Sequence, residues 1–306
     1  MACFDHDVTL VTAQRYVTAG EAGADAVIAE DRLLADAFSA LGLTTRRVAW
    51  SDERHDWSRG RVALIRATWD YFEHLEAFQA WLGRAASATT LVNAPELLRW
   101  NLDKRYLLEL RRAGLPVPPT RIVPRGAPAR LADLLAETGW DEVVVKPAVS
   151  ASGWETHHVA HAPAFEARFR ALARRHDLLV QPYLPAIAEH GELSCVVIAG
   201  RFSHAVRKRP AAGGFLVQAE HGGSVEAHAA TAEQRRLAER AAVGLPARPV
   251  YARVDLVPGP GGAWCVGELE LIEPELWLRR HPSAASALAS AVAAALPGGR
   301  GAEAQR

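Results

Sequence analysis

The chain has 306 residues, with 35 acidic and 35 basic side chains and a formal net charge of zero. That balance lacks the basic excess of a general nucleic-acid binder, so no nucleic-acid partner is expected. With 49% hydrophobic and 23% charged residues the composition is that of an ordinary globular protein, and this length has room for two or three domains and a large core.

The opening stretch, MACFDHDVTLVTAQ, has neither a basic n-region nor a long apolar run and does not read as a signal peptide. No segment of about 18 apolar residues occurs, so no membrane partner and a cytoplasmic location are expected. Residues 8–12 form a β-rich run. Residues 30–41 carry Leu33, Leu34, Ala37, Phe38 and Leu41 at helical spacing, with Gly42 as the stop. Residues 47–50 and 62–65 read as strands, 74–84 as a helix and 90–93 as a further strand. Strands alternating with helices imply a parallel sheet, so residues 1–92 are expected to form an α/β domain on the substrate side. No GxGxxG follows the first strand and no GxxxxGK[ST] occurs, which excludes a dinucleotide fingerprint and a P-loop.

Residues 95–113 read as one long helix ended by Gly114, and Pro116, Pro118 and Pro119 then force an extended path. A strand at 121–123, a helix at 131–137, a strand at 142–146, a Gly/Ser turn, a strand at 155–159, a helix at 164–175 and a strand at 178–181 make a compact α+β lobe, assigned to 93–184. The rest, 185–306, is more β-like. Strands at 192–199 and 202–209 flank Gly200 and Arg201, a helix covers 231–243, and strands at 251–257 and 263–271 are joined by PGPGG. Residues 285–296 read as a packed terminal helix and 298–306 as a disordered tail. The three cysteines, Cys3, Cys195 and Cys265, are far apart and show no metal spacing, so Cys195 and Cys265 are expected to be small buried hydrophobes. The twelve histidines show no metal spacing either and are expected at the surface.

The chemistry gathers on a few residues. Asp255 in RVDLV faces Glu268 and Glu270 in GELEL across a predicted hairpin, and residues i and i+2 of a strand share a face. Three converging carboxylates repel, and a hard divalent cation held with nucleotide phosphates resolves the repulsion. An acidic sheet face without a metal is the plain alternative. Only three of the 35 basic residues are lysines: Lys104, Lys146 and Lys208. Lys146 ends the apolar run VVVK, where a buried ammonium needs an anionic partner. The small-residue segment 148–156 behind it, with Ser152 and Gly153, can turn backbone amides toward phosphate oxygens; a simple hairpin turn serves the sequence equally well. Lys104 taken alone reads as a solvated helix lysine. QPYLP (181–185) reads as a linker or as a hinge beside an adenine. VRKRP (206–210) reads as an exposed basic edge or as a clamp for transferring phosphoryl oxygens.

As an ensemble these segments resemble the ATP-grasp superfamily, close to glutathione synthetase and the ribosomal-protein glutamate ligases. The resemblance covers about residues 93–280. QPYLPAI (181–187) with Gly191 and Glu192 is similar to the hinge and ribose segment. AVRKRPAAGGF (205–215), running to Gly222 and Gly223, is similar to the basic strand and its loop. ELELIEP (268–274) is similar to the Glu-x-Asn metal motif. The resemblance implies an ATP-grasp fold, α/β (α+β), with two lobes clamping ATP beneath an N-terminal parallel-sheet domain. It implies that Lys104, Lys146, Ser152 and Gly153 hold ATP phosphates, that Gln181, Tyr183 and Leu184 line the adenine, and that Glu192 takes the ribose. It further implies that Arg207 and Lys208 contact the γ-phosphate and acyl phosphate, and that Asp255, Glu268 and Glu270 bind Mg²⁺. Three departures stand out: Glu270 replaces the Asn, Leu216 replaces an Arg after Phe215, and Ser194 replaces a basic residue that helps bind glutathione precursors.

RATWDY (66–71), NLDKRY (101–106) and GELS (191–194) resemble a narrower branch, the ring-closing ligases of D-cycloserine formation, which act on O-ureido-serine. On that resemblance Arg66 and Asp70 would hold the charged groups of a small amino-acid-like substrate, at the strand ends where open α/β sheets bind ligands; a structural Arg–Asp pair is the alternative. The expected reaction is ATP-dependent formation of an acyl phosphate and then of a C–N bond, within one molecule or between two, in antibiotic biosynthesis. A catalytically silent ATP-binding regulator and a small-molecule kinase are the rival readings. A homodimer is a candidate assembly.

Overall fold

The computed structural model describes residues 4–21, 23–217 and 222–296; Cys3 and the expectation for the 298–306 tail lie outside them. In the first unit the chain runs β1 (His6–Thr12), α1 (Ala24–Ala40), β2 (Thr45–Ala49), β3 (Gly60–Ile65), α2 (Leu75–Ala88) and β4 (Thr90–Val92). The strands pair in parallel in the order β2-β1-β3-β4. A parallel sheet is covered on both faces, so its strands are apolar throughout. Val8, Leu10, Val62 and Leu64 pack on Leu34 and Phe38 of α1, while Val11, Ala63 and Ile65 pack on Phe78, Trp81 and Leu82 of α2. Helix α1 starts at Ala24 rather than at residue 30, because Ala24, Val27, Ile28 and Asp31 continue its buried stripe backwards.

The expected long helix over 95–113 is instead two, α3 (Pro95–Asn101) and α4 (Tyr106–Arg112). The Asp103 carboxylate accepts from the Arg105 amide at 2.8 Å, a local bond that competes with helix. The Lys104 amide leaves the helical ladder and donates to the Ala148 carbonyl at 2.8 Å. The second unit then forms an antiparallel sheet in the order β5-β8-β6-β7 from β5 (Arg121–Val123), β6 (Val143–Pro147), β7 (His157–Val159) and β8 (Leu178–Pro182). Helices α5 (Leu131–Thr138) and α6 (Ala162–Arg175) cover one face of it.

The last unit holds α7 (Ala186–His190), β9 (Glu192–Ile198), β10 (Arg201–Arg209), β11 (Ser224–His228), α8 (Ala232–Val243), β12 (Tyr251–Pro258), β13 (Trp264–Glu270) and α9 (Ser283–Ala294). Its antiparallel sheet has the order β11-β10-β9-β12-β13. Short α7 and the polar strand β11 were not expected from the sequence. Helix α8 starts at a capping box between Thr231 and Gln234 and covers one face through Ala238, Ala241 and Ala242. The other face divides. Val196, Ile198, Val206 and Tyr251 join α9 and the first sheet in one apolar cluster, and the remainder forms the floor of the cavity described below. The outer edge of β13 is occupied. The Leu269 amide donates to the Tyr106 hydroxyl at 3.0 Å, the Leu271 amide to Asn101 Oδ1 at 2.7 Å and the Val266 amide to the Pro116 carbonyl at 2.8 Å. Among the described residues no helix is long and apolar enough to cross a membrane.

Candidate active site

A cavity of about 260 Å³ opens where the three units meet. Its floor comes from four strands of the C-terminal sheet. Side chains alternate along a strand, so the residues facing away from α8 all arrive together: Glu192 and Ser194 on β9, Lys208 on β10, Arg253 and Asp255 on β12, Glu268 and Glu270 on β13. The register pairs Asp255 with Glu268 and Arg253 with Glu270. Acid and base interleave. Asp255 Oδ2 lies 2.9 Å from Arg253 Nη2 and 3.4 Å from Lys208 Nζ, and Asp255 Oδ1 accepts from the Ser194 hydroxyl at 2.7 Å. Lys208 Nζ lies 2.5 Å from Glu192. Arg253 also donates to Glu270.

Burial would raise the Asp255 carboxyl, but Arg253 and then Lys208 outweigh it and hold Asp255 well below the usual carboxylate range. Glu268 is likewise lowered against its burial, by Lys104 and then Lys146. Glu270 goes the other way: burial pushes it up to about 8 despite Arg253, with the Asp255 and Glu268 carboxylates adding to the rise. The floor is therefore graded, with firmly ionised acids at Asp255 and Glu268 and a more easily protonated one at Glu270. Gly191 precedes this floor at φ +76, and a Cβ there would stand 2.6 Å from the Lys208 carbonyl. Only glycine admits that approach of the β9 start to β10.

The opposite wall carries the other two lysines. Lys104 is buried, its ammonium 3.0 Å from Glu268 and 2.5 Å from the Ser150 carbonyl. It is not a solvated helix lysine, since the helix breaks at this point and turns it inward. Lys146, at the end of β6, lines the cavity with no ion-pair partner among the described residues. Burial lowers its ammonium below the ordinary range, and Lys104 pushes the same way against Glu268. Ser152 and Gly153 line the same wall in consecutive left-handed conformations, φ 51 and 72. The Phe72 ring braces this loop from the first unit, 5.4 Å from the Trp154 ring. Gln181, Tyr183 and Leu184 line the cavity as well. The Gln181 amide donates to the Thr120 hydroxyl at 2.9 Å, and the Tyr183 N–H is already taken by the Glu142 carbonyl at 2.8 Å.

Three expected residues are not in the cavity. Arg207 points to the other face of β10, as the two-residue period requires, and lies 3.0 Å from His228 Nδ1. Asp70 accepts from the Trp50 indole at 2.8 Å. Arg66 is buried beside Asp31 at 3.4 Å and Glu30 at 3.8 Å, so it is not paired with Asp70. It lines a separate small cavity that shares Trp69 and Glu275 with the large one. The sequence reading passed over Arg253, which the same i, i+2 rule places beside Asp255. It also passed over Trp69, Tyr71, Glu273 and Trp277, which line the inner end through tertiary contacts alone. Cys195 and Cys265 are buried free thiols. The histidines are not all at the surface: His6 and His204 are buried.

Residues 8–93 match the family described as the N-terminal domain of the D-cycloserine synthetase DcsG, and residues 114–257 match the ATP-grasp domain of prokaryotic glutathione synthetase. The chain is 33% identical over 280 residues to the cycloserine biosynthesis protein DcsG of Streptomyces lavendulae, which covers 85% of this chain and 91% of that protein. It is 27% identical over 191 residues to the tetrahydromethanopterin:α-L-glutamate ligase of Methanosarcina acetivorans, over 55% of that protein. The crystal structure of D-cycloserine synthetase DcsG superposes with a TM-score of 0.83 at 30% identity, covering 95% of this chain and 99% of that one. The D-alanine–D-alanine ligase of Bacillus anthracis in complex with ATP shares the fold, with a TM-score of 0.66 at 16% identity, over 94% of this chain and 96% of that one. The chain belongs to the ATP-grasp ligases, on the branch of the cycloserine biosynthesis protein DcsG, and is an ATP-dependent carboxylate–amine ligase that forms C–N bonds.

Proposed function

We propose that this ligase activates the carboxylate of a small amino-acid-like substrate as an acyl phosphate, with Mg²⁺ as its metal, and closes a ring through a nitrogen of the same molecule. One observation carries the reading. Trp69 and Tyr71, which line the inner end of the cavity, belong to the segment similar to the N-terminal domain of D-cycloserine synthetase.

In this reading the adenine lies along Gln181, Tyr183 and Leu184, with the Leu184 amide rather than that of Tyr183 free to meet its edge. Glu192 receives the ribose. Lys146, which has no ion-pair partner among the described residues, takes phosphate oxygens together with Lys104 and the amides around Ser152 and Gly153. The donor set on the floor suits a hard divalent ion, because Asp255, Glu268 and Glu270 offer only oxygens. Among the described residues no preformed group of three or more ligands exists. Mg²⁺ commonly takes one or two carboxylates and completes its shell with phosphates and water, so a floor that assembles with the nucleotide fits it. When bound, the ion neutralises charge on the phosphates.

The substrate carboxylate attacks the γ-phosphorus and ADP leaves. Lys208 and Arg253 stabilise the transferring phosphoryl group; Arg253 replaces the expected Arg207, which faces away. The substrate nitrogen then attacks the acyl carbon, its proton is lost and phosphate departs. The floor supplies position and charge rather than a protein nucleophile.

The test is coupled ADP release with Mg²⁺-ATP across a panel of amino acids that includes O-ureido-D-serine, with and without amine acceptors. Turnover with that single amino acid alone is the expected result. Turnover only with a pair favours the second reading, an intermolecular ligase, which the similarity to an α-L-glutamate ligase supports. Binding of ATP without turnover on any member would instead indicate a regulator. Failure of hydroxylamine to trap an acyl phosphate would indicate a kinase.

A further inference from the structure

The inner end of the cavity carries more acid than the phosphate chemistry uses. Glu273 and Glu275 lie there with Trp69, Tyr71 and Trp277. Glu275 is engaged, 2.6 Å from the Arg279 guanidinium. Glu273 is not. It is 6% exposed, and among the described residues no cationic nitrogen lies within 4.0 Å of its carboxylate. The nearby cations are committed: Lys104 to Glu268 at 3.0 Å, and Arg253 to Asp255 at 2.9 Å and to Glu270. Its place is nevertheless fixed, because the Trp69 indole donates to the Glu273 carbonyl at 2.8 Å across the interface with the first unit. Tyr71 is close enough that Glu273, after burial itself, is the next cause holding the Tyr71 hydroxyl above its ordinary range.

A buried carboxylate without a cationic partner is costly, and a cation that arrives offsets that cost. Aromatic faces around a carboxylate are the surroundings that an ammonium group prefers. We propose that Glu273, among Trp69, Tyr71 and Trp277, receives the ammonium group of the substrate, so that the ligase accepts amine-bearing carboxylic acids and rejects the same acids without the amine. This rests on the reading of the cavity as an amino-acid ligase site. The carboxylate of the same substrate then faces Lys208 and Arg253, and the cationic end fixes which carboxyl is phosphorylated.

The experiment measures ADP release for a matched pair of acids, O-ureido-D-serine against 3-ureidooxypropanoate, with the wild type and Glu273→Gln. The wild type should favour the amino member by about 10- to 100-fold in kcat/KM, the usual value of a hydrogen-bonded charged group. Glu273→Gln should erase that preference by raising KM for the amino member while leaving the KM for ATP unchanged. Equal turnover of both members by the wild type would overturn the inference while the ligase reading stands. So would a Glu273→Gln variant that slows both members alike. If no amino acid in the panel releases ADP with the wild type, the ligase reading falls and the inference falls with it. Calorimetric titration of the wild type with each member of the pair, in the presence of a non-hydrolysable ATP analogue, gives the same comparison should the variant fold poorly.

Discussion

The parallel sheet of the first unit and the antiparallel sheet of the last one both bury their two faces, but with opposite chemistry. Leu10, Val62 and Leu64 on one side and Val11, Ala63 and Ile65 on the other give the first sheet an apolar interior throughout. The second sheet has an apolar face under α8. Its other face buries Asp255, Lys208, Ser194 and Arg253 beside the partly covered Glu268 and Glu270. Apolar burial stabilises by about 25 cal/mol per Å², whereas buried ion pairs contribute little net stability and matter most when one member is removed. The first sheet should therefore govern whether the chain folds, and the charged face whether it turns over ATP. Substitutions in each region separate the two roles.

The largest effect is expected on the charged face. Glu268→Gln keeps the shape and still accepts a hydrogen bond from Lys104, 3.0 Å away in the native pair. It removes a carboxylate from the floor that meets the phosphates and the metal. ATP turnover should fall by about 10³-fold or more, while the chain still folds: leaving Lys104 without its carboxylate costs stability, but less than the about 3–5 kcal/mol of a fully buried pair, because the Glu268 side chain is 28% exposed. Unchanged turnover would sink the assignment of this face as the reaction site.

In the first sheet the pattern should invert. Leu64 is 0% exposed and belongs to the apolar cluster that also holds Leu34 and Phe38 of α1 and Leu288 of α9. Leu64→Ala should cost about 2–5 kcal/mol in denaturant unfolding, from lost transfer energy and the cavity left behind. Turnover per folded molecule should stay within about twofold of the wild type. A loss of turnover at full folding would mean that the apolar unit tunes the site directly, and the division of roles would not hold.

What the sequence made legible follows the same division. Strands of the first unit stand out because β-branched and aliphatic runs need no knowledge of their neighbours. Asp255, Glu268 and Glu270 were legible as one face because the strand period is two. The same period, carried through, would have turned Arg207 away and brought Arg253 in. The break between α3 and α4 was not legible, because it depends on the Lys104 amide reaching Ala148, a partner 44 residues on in the next unit. Glu273 and Trp69 meet across 204 residues of chain, and no local pattern encodes that contact. Periodicity reports which side of an element a residue takes; only packing reports what waits there.

The smallest effect lies at the border of the two regions. His204 shares the β10 face with Lys208 but sits at its apolar end, 8% exposed. Its Nε2–H donates to the Leu276 carbonyl at 2.8 Å, and its ring stacks on His281 with centroids 4.7 Å apart. Burial lowers its pKa to about 4 from 6.5, against the Leu276 carbonyl and with His281 adding to the fall. The folded state thus holds His204 neutral where the unfolded state binds a proton. Its share of stability is intact above about pH 6.5 and is lost as the pH falls toward 4. Between pH 7 and pH 5 that loss amounts to about 2 kcal/mol. His204→Gln keeps an N–H for Leu276 and removes the titration, so its urea midpoint should fall less steeply than the wild type over that interval. Parallel pH profiles for the two proteins would show that His204 is not the group that weakens this border in acid.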